Sequence, residues 1–148
     1  MRSILVAVDG SEPALAAVDF AARLAGETRA ELAILTVAEE AYISDKALRE
    51  FAHAEHLAAT WGDLSEARAT EILIAAHSRA AARDGLKIGT HWRTGNCAVE
   101  IARFAQETRC DLLVVGHVGR SRLAGIVLGS VAFKLLALAP CPVTVVKP

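Results

Sequence analysis

Short apolar runs alternate with segments of helical spacing along most of the chain. The runs that predict β-strands are Ser3 to Val8, Leu32 to Val37, Lys87 to Trp92, Leu112 to Val115 and Val143 to Val146. The segments that predict helices are Glu12 to Ala25, Leu64 to Arg83, Ala98 to Thr108 and Val131 to Ala139. This alternation is typical of βαβ units, in which parallel strands form one sheet and helices cover its faces. The pattern therefore predicts an α/β fold with an open five-stranded parallel sheet.

Residues that favour helix ends mark the predicted boundaries. They are Ser11, Pro13, Gly26, Gly85, Asn96, Pro140 and Pro142. Serine and asparagine cap helix starts, proline fits the first turn, and glycine commonly follows a helix end. The segment Glu39 to Gly62 is harder to interpret, because its apolar residues recur at uneven intervals. These intervals allow a helix without requiring one, and the segment would suit a mobile cover.

Composition limits the class of protein. The chain has 148 residues, of which 53% are hydrophobic and 22% charged. This length and composition predict one folded domain spanning residues 1–148 and argue against disorder. The formal net charge is −1, so we expect no general attraction to nucleic acid.

The first residues and the cysteines carry little functional signal. The apolar run Ile4 to Val8 is too short for a signal-peptide core or a membrane span. We therefore expect a cytoplasmic protein without membrane insertion. The spacing of Cys97, Cys110 and Cys141 matches no zinc or redox motif, which favours reduced cysteines that serve in packing.

The glycines near the C-terminus are the most informative feature. Gly116, Gly119 and the pair Gly129-Ser130 have the spacing G-x2-G-x9-G-S. The first glycine follows a predicted buried strand, and Ser130 is expected to cap the last helix. Glycine permits close approach of the backbone to a ligand, and a helix start offers free N–H groups to an anion. The pattern predicts a phosphate-binding loop.

This motif resembles that of the universal stress protein family, in the subgroup that binds ATP. Three further stretches resemble the family pattern, namely SILVAVDGSEPALAAVDFAARLA, GNCAVEIARFAQETRCDLLVVG and CPVTVV. The resemblance implies a Rossmann-like fold, similar to the adenine-nucleotide alpha hydrolases, with strand order 3-2-1-4-5 and helices on both faces. Members that do not bind ATP typically depart from the glycine spacing, which this chain keeps.

The resemblance also implies roles for individual residues. Asp9 matches the aspartate that contacts the nucleoside, flanked by Ala7, and Val37 matches the position whose backbone contacts adenine. The expected phosphate loop comprises Gly116, Gly119, Gly129, Ser130 and Val131, and Val115, which precedes it, is a further expected nucleotide-binding residue. An Asp-Gly-Ser sequence after a strand is also a common turn and helix cap, so that interpretation stays open for Asp9 and Ser11.

Two basic residues of the loop are candidates for direct side-chain contact. Arg120 has the geometry to pair with two phosphate oxygens, and His117 lies beside the first glycine. The alternative for Arg120 is a solvated side chain. His117 stands where many family members have a small hydroxyl residue, so a hydroxyl contact is not expected there.

Other binding and catalytic motifs are absent from the sequence. His53 and His56 lack the H-E-x-x-H spacing of a zinc site, and the chain contains no P-loop, dinucleotide or serine-hydrolase motif. The resemblance to the universal stress proteins implies an ATP-binding stress-response regulator, with Mg²⁺ or Mn²⁺ held through the phosphates and little hydrolysis. AMP or a cyclic nucleotide is an alternative ligand.

The sequence leaves two other functional classes open and also indicates a homodimer. A nucleotide-dependent enzyme would use Asp9 as its carboxylate, and a flavodoxin-like electron carrier would suit the size but not the loop DGSEP. The apolar segment Pro142 to Val146 would leave an exposed sheet edge. Because family members commonly dimerise through this last strand, we expect a homodimer. A regulator also needs a protein effector, whose identity the sequence does not indicate.

Overall fold

A computed structural model describes residues 1–39, 54–119 and 127–148, with the backbone alone described for residues 54–64. The strands are β1 (Ser3–Val8), β2 (Glu31–Ala38), β3 (Ile88–Thr94), β4 (Leu112–Gly116) and β5 (Val143–Val146). The helices of these ranges are α1 (Glu12–Thr28), α2 (Ala54–Ala81), α3 (Cys97–Thr108) and α4 (Ser130–Leu138). The predicted strands are confirmed: β1 and β5 have the predicted bounds, and the ends of the other three differ by at most two residues.

The five strands form one parallel sheet in the order β3-β2-β1-β4-β5, which confirms the predicted order. The central strand β1 pairs with β2 on one side and β4 on the other, so that Val6 lies beside both Ile34 and Val114. Strand order reverses between β1 and β4. In open α/β sheets, ligands bind at the carboxyl ends of the strands at such a reversal.

Side chains alternate between two apolar cores, one on each face of the sheet. Ile4 and Val6 of β1 pack with α1 and α2, whereas Leu5 packs on the opposite face with α3 and α4. This alternation follows from the two-residue period of a strand. Because both faces are covered, the inner strands are apolar along most of their length, with Thr36 of β2 as a buried polar residue.

Side chains cap two of the helices as predicted. Ser11 Oγ accepts a hydrogen bond of 3.3 Å from the Ala14 N–H at the start of α1. Asn96 Oδ1 accepts one of 3.2 Å from the Val99 N–H at the start of α3. These bonds satisfy backbone donors that a helix start leaves without partners.

The prediction that Ser130 caps α4 is wrong. Gly129 is the N-cap, with an extended backbone, and Ser130 is the first helical residue. The Gly129 carbonyl accepts the first helical bond, from Phe133 N at 2.9 Å, while its N–H donates to the His117 carbonyl at 2.6 Å. Both backbone groups of Gly129 are therefore engaged, and this places the helix start one residue earlier than expected.

Two other helix boundaries differ from the predictions by three residues or more. Helix α1 continues through Gly26 to Thr28 and ends at Arg29, which has a φ of 56°. One helical glycine costs only about 1 kcal/mol, and the buried Ala25 beside it anchors this last turn in the core. Helix α2 begins at Ala54 rather than Leu64, so the end of the segment Glu39 to Gly62 is helical. The rest of that segment, and its predicted role as a cover, lie outside the described residues.

Candidate functional site

A cavity of about 800 Å³ opens at the carboxyl ends of the strands, where strand order reverses. Its volume lies within the range of roughly 300–1,000 Å³ that is usual for small-molecule pockets. Nine of the predicted residues line it: Ala7, Asp9, Val37, Val115, Gly116, Gly119, Gly129, Ser130 and Val131. Residues that are far apart in the sequence thus meet at one place.

Asp9 follows β1 and is held in a turn at the edge of the cavity. Its Oδ1 atom accepts a hydrogen bond of 3.0 Å from the Ser11 N–H. Its Oδ2 atom lies 2.8 Å from the position that a β-carbon on Gly119 would occupy. The turn interpretation of Asp-Gly-Ser is therefore correct, and the same turn directs the second carboxylate oxygen toward the glycine loop.

The motif glycines are required mainly by space. A β-carbon on Gly116 would lie 2.8 Å from the carbonyl carbon of Pro13, at the start of α1. A β-carbon on Gly129 would lie 3.1 Å from the Cα atom of Val118. Within the described ranges, neither these two glycines nor Gly119 has a positive φ. The glycines thus allow the loop backbone to pack against itself and against α1 beside the cavity.

The first turn of α4 opens into this cavity without a side-chain cap. Ser130, Val131 and Ala132 all line the cavity, and among the described residues no side chain caps the helix at Gly129. Free N–H groups and the positive end of the helix dipole favour an anion at such a position. This end of the cavity is therefore chemically suited to a phosphate.

The other end of the cavity is apolar and bordered by acidic groups. Val37 and Val115 face it together with Cys97 and Ile101 of α3. Burial, together with the smaller effect of the negative charges of Glu39 and Asp9, raises the pKa of the Cys97 thiol to about 11. The thiol is consequently protonated at neutral pH and contributes an almost apolar surface.

Sequence reasoning missed the contribution of α2. Ser65, Arg68, Ala69 and Ile72 line the cavity at intervals of three and four residues, so they share one face of the helix. Arg68 is the one positively charged side chain among the described residues of the cavity wall. The helical spacing was readable in the sequence, but nothing local showed that this face of α2 turns toward the glycine loop.

Two predicted site residues are not among the described residues of the cavity wall. His117 is half-buried, and its backbone N–H donates to the Val146 carbonyl at 2.9 Å. Its Nδ1 atom is buried and has no hydrogen-bond partner within the described structure. Arg120, the other basic candidate, lies outside the described residues. Direct ligand contact by either side chain stays a prediction.

Two other kinds of feature are absent from the described residues. They contain no cluster of three or more His, Cys, Asp or Glu side chains arranged to hold a metal ion. In those same parts of the chain, no helix has the length and apolar character needed to cross a membrane.

The family model, a relative of known sequence and the solved structures all indicate the same family for this chain. Residues 1–147 match the model of the universal stress protein family. Universal stress protein YxiE of Bacillus subtilis is 37% identical over 147 residues, which cover 99% of each chain. The solved structure of UspA from Lactobacillus plantarum is 27% identical, with a TM-score of 0.81 and coverage of 99% of this chain and 97% of that one.

A second solved structure is a universal stress protein in complex with cAMP. It is 29% identical, has a TM-score of 0.72, and covers 99% of this chain and 96% of its own. The family match over nearly the full length, the 37% identical relative and the similarity to the two solved structures agree. The chain belongs to the universal stress protein family.

Proposed function

We propose that this protein binds an adenine nucleotide, with ATP as the expected ligand, and acts as a nucleotide-dependent regulator in the stress response. The observation that carries the proposal is one cavity that joins Asp9 to Gly119, Gly129 and the uncapped start of α4. A carboxylate suited to ribose hydroxyls or a base amino group thus faces a backbone suited to phosphates.

The orientation of the nucleotide follows from the chemistry of the two ends. Phosphates would lie over Gly119, Gly129 and Ser130, where N–H groups and the helix dipole favour negative charge. The base and ribose would lie between Ala7, Val37 and the carboxylate of Asp9. The acidic groups at this end disfavour phosphates there, because like charges repel.

A cyclic nucleotide is the second candidate ligand. A universal stress protein that is 29% identical to this chain was solved in complex with cAMP. A single phosphate would fit the same loop, but it would leave the space beside Arg68 without charge to pair with. A polyphosphate therefore uses more of the cavity wall.

A divalent ion would depend on the nucleotide itself. Asp9 and Glu39 are the carboxylates among the described residues of the cavity wall, and they lie at the proposed nucleoside end. Mg²⁺ or Mn²⁺ would accordingly be held through the phosphates and water, where it would neutralise phosphate charge. Hydrolysis is expected to be slow, well below the roughly 1–100 per second of kinases.

The proposal includes a homodimer formed through β5. Within the described structure β5 pairs only with β4, so its outer side is a sheet edge. Phe133 and Leu136 of the adjoining helix α4 are 68% and 54% exposed. A second copy would pair the edge and cover these apolar side chains. We also propose a cytoplasmic location and a protein effector that responds to nucleotide occupancy.

Isothermal titration calorimetry of the purified full chain with ATP, ADP, AMP and cAMP, with and without Mg²⁺, tests the proposal. We expect ATP to bind most tightly, with affinity falling as phosphates are removed. Tightest binding of cAMP would instead favour the second candidate. No binding of any of the four by folded protein would overturn the assignment of the cavity. A parallel phosphate-release assay measures hydrolysis, and steady-state turnover at kinase-like rates would contradict the regulatory role.

A further inference from the structure

Two of the three cysteines meet at the edge of the sheet opposite the cavity. Cys110 lies just before β4 and Cys141 just before β5, and their Sγ atoms are 3.5 Å apart. The backbone holds this arrangement, because β4 and β5 are paired and the Leu113 N–H donates to the Pro142 carbonyl at 3.0 Å. The β4–β5 register, continued toward the amino ends, sets the two cysteines one residue out of step. A strand spacing of about 4.8 Å and a rise of about 3.3 Å then give a Cα separation of roughly 6 Å, which is compatible with a disulfide.

The two thiols differ in accessibility. Cys110 is buried, with 6% of its surface exposed, whereas Cys141 is half-buried and partly reached by solvent. Burial and the neighbouring thiol raise the pKa of Cys110 to about 12. Because thiolates are the nucleophiles in thiol oxidation, Cys141 is the group that meets an oxidant first, and Cys110 is the thiol positioned to react next.

We propose that Cys110 and Cys141 form a reversible disulfide within one chain when the protein meets hydrogen peroxide. The Cys141 thiolate attacks a peroxide oxygen, the O–O bond breaks, hydroxide leaves, and the sulfur becomes a sulfenic acid. The Cys110 sulfur then bonds to the Cys141 sulfur, and the hydroxyl group leaves with the Cys110 proton as water. Two thiols are oxidised while one peroxide is reduced to two waters.

The third cysteine provides an internal control. Cys97 lies at the carboxyl edge of the sheet, in the cavity wall, and within the described residues no sulfur contact to it is found. It has the same chemistry as the pair but lacks a neighbouring thiol. The proposal therefore predicts a selective loss of two thiols out of three.

Counting alkylated cysteines tests this directly. Reduced full-length protein is treated with hydrogen peroxide, quenched with catalase, denatured and alkylated with iodoacetamide before mass spectrometry. The untreated protein should take up a label on each of its three cysteines, and the treated protein a single label, which peptide mapping should place on Cys97. Reduction with dithiothreitol before alkylation should restore full labelling.

Matched variants identify the pair. Cys97→Ser should lose both remaining labels after peroxide, and Cys141→Ser should keep both, since Cys110 then has no partner. The wild-type experiment stands without the variants if one of them fails to fold. The proposal is overturned if wild type keeps all its labels, if the linkage includes Cys97 or joins two chains, or if a sulfinic or sulfonic acid forms in place of the disulfide.

Discussion

Asp9 and Gly119 face one another so closely that a β-carbon on Gly119 would lie 2.8 Å from the Asp9 Oδ2 atom. The glycine thus leaves room for the carboxylate, which the Ser11 N–H fixes through its other oxygen. One residue belongs to the proposed nucleoside end of the cavity and the other to the proposed phosphate loop. The cavity is therefore continuous across the two strands at which sheet order reverses.

Replacing Asp9 by asparagine should weaken ATP binding while preserving the turn. The amide oxygen of Asn can still accept the bond from Ser11, whereas the charge that strengthens bonds to ribose or base donors is lost. We expect roughly a tenfold rise in Kd, measured by calorimetry against Asp84→Asn, an exposed control. If binding is unchanged but turnover disappears, Asp9 serves catalysis and the enzyme alternative is favoured.

Arg68 should favour ligands with more phosphates. Ile72 of α2 lies beside Gly10 at the carboxyl edge of the sheet, and its Cγ1 atom would be 3.2 Å from a β-carbon on Gly10. Arg68 lies one helical turn before Ile72, which is about 6 Å along the axis of α2. Because α2 leads back to the amino end of β3, this turn lies beyond the carboxyl edge of the sheet. Arg68→Gln should raise the Kd for ATP roughly tenfold and that for AMP much less.

The matched control for Arg68 is Arg83→Gln, an exposed arginine beyond the other end of α2. It removes the same charge from the protein but not from the cavity. Equal losses of ATP affinity in the two variants would mean that only the total charge matters. Equal losses for ATP and AMP in Arg68→Gln would mean that Arg68 contacts a part common to both nucleotides.

Two glycine-to-alanine substitutions should change stability in opposite directions. At Gly116 the new methyl group would lie 2.8 Å from backbone at the start of α1, so we expect a loss of about 1–3 kcal/mol. At Gly26 it would make an ordinary contact of 3.8 Å with Leu86 inside a helix, so we expect a gain of about 0.5–1 kcal/mol. Urea unfolding measures both, and similar effects would contradict the packing role of Gly116.

Asp111 should make the stability of the folded protein depend on pH. Its carboxylate accepts hydrogen bonds from the N–H groups of Arg2 and Ser3 at 2.6 and 3.1 Å, which lower its pKa in the folded protein. The contribution of Asp111 to folding stability is complete above its pKa in the unfolded chain, about 3.9. It is lost as the pH falls through the lower pKa that Asp111 has in the folded protein. Asp111→Asn should lower Tm at neutral pH, and the difference should shrink below about pH 4. A difference in Tm that is constant from pH 3 to pH 7 would contradict this.

The apolar face beside β5 should control assembly. We expect light scattering across micromolar concentrations to give the mass of a dimer, and Phe133→Glu to shift it toward the monomer, because a charge would replace a side chain that is 68% exposed. Ile74→Glu is the control, since Ile74 is 62% exposed but lies on α2. A monomeric wild type, or equal shifts in both variants, would contradict dimerisation through β5.

The strands and most helix starts were predictable because their causes are local. A buried parallel strand needs a continuous apolar run, and a cap needs one polar side chain within three residues, as at Ser11 and Asn96. The end of α1 and the start of α4 were less predictable. Packing of Ala25 against the core outweighed the helix-breaking tendency of Gly26, and the backbone bonds of Gly129 displaced Ser130 from the cap.

The sequence by itself determined the order of elements and the glycine spacing of the loop, because periodicity, turn chemistry and motif spacing are properties of neighbouring residues. Only the tertiary structure decided that Arg68 faces the cavity, that Gly116 packs against α1, and that the sulfur atoms of Cys110 and Cys141 touch. These relationships depend on how strands pair and how helices lie across the sheet. Such contacts join residues far apart in the chain, and no local pattern specifies them.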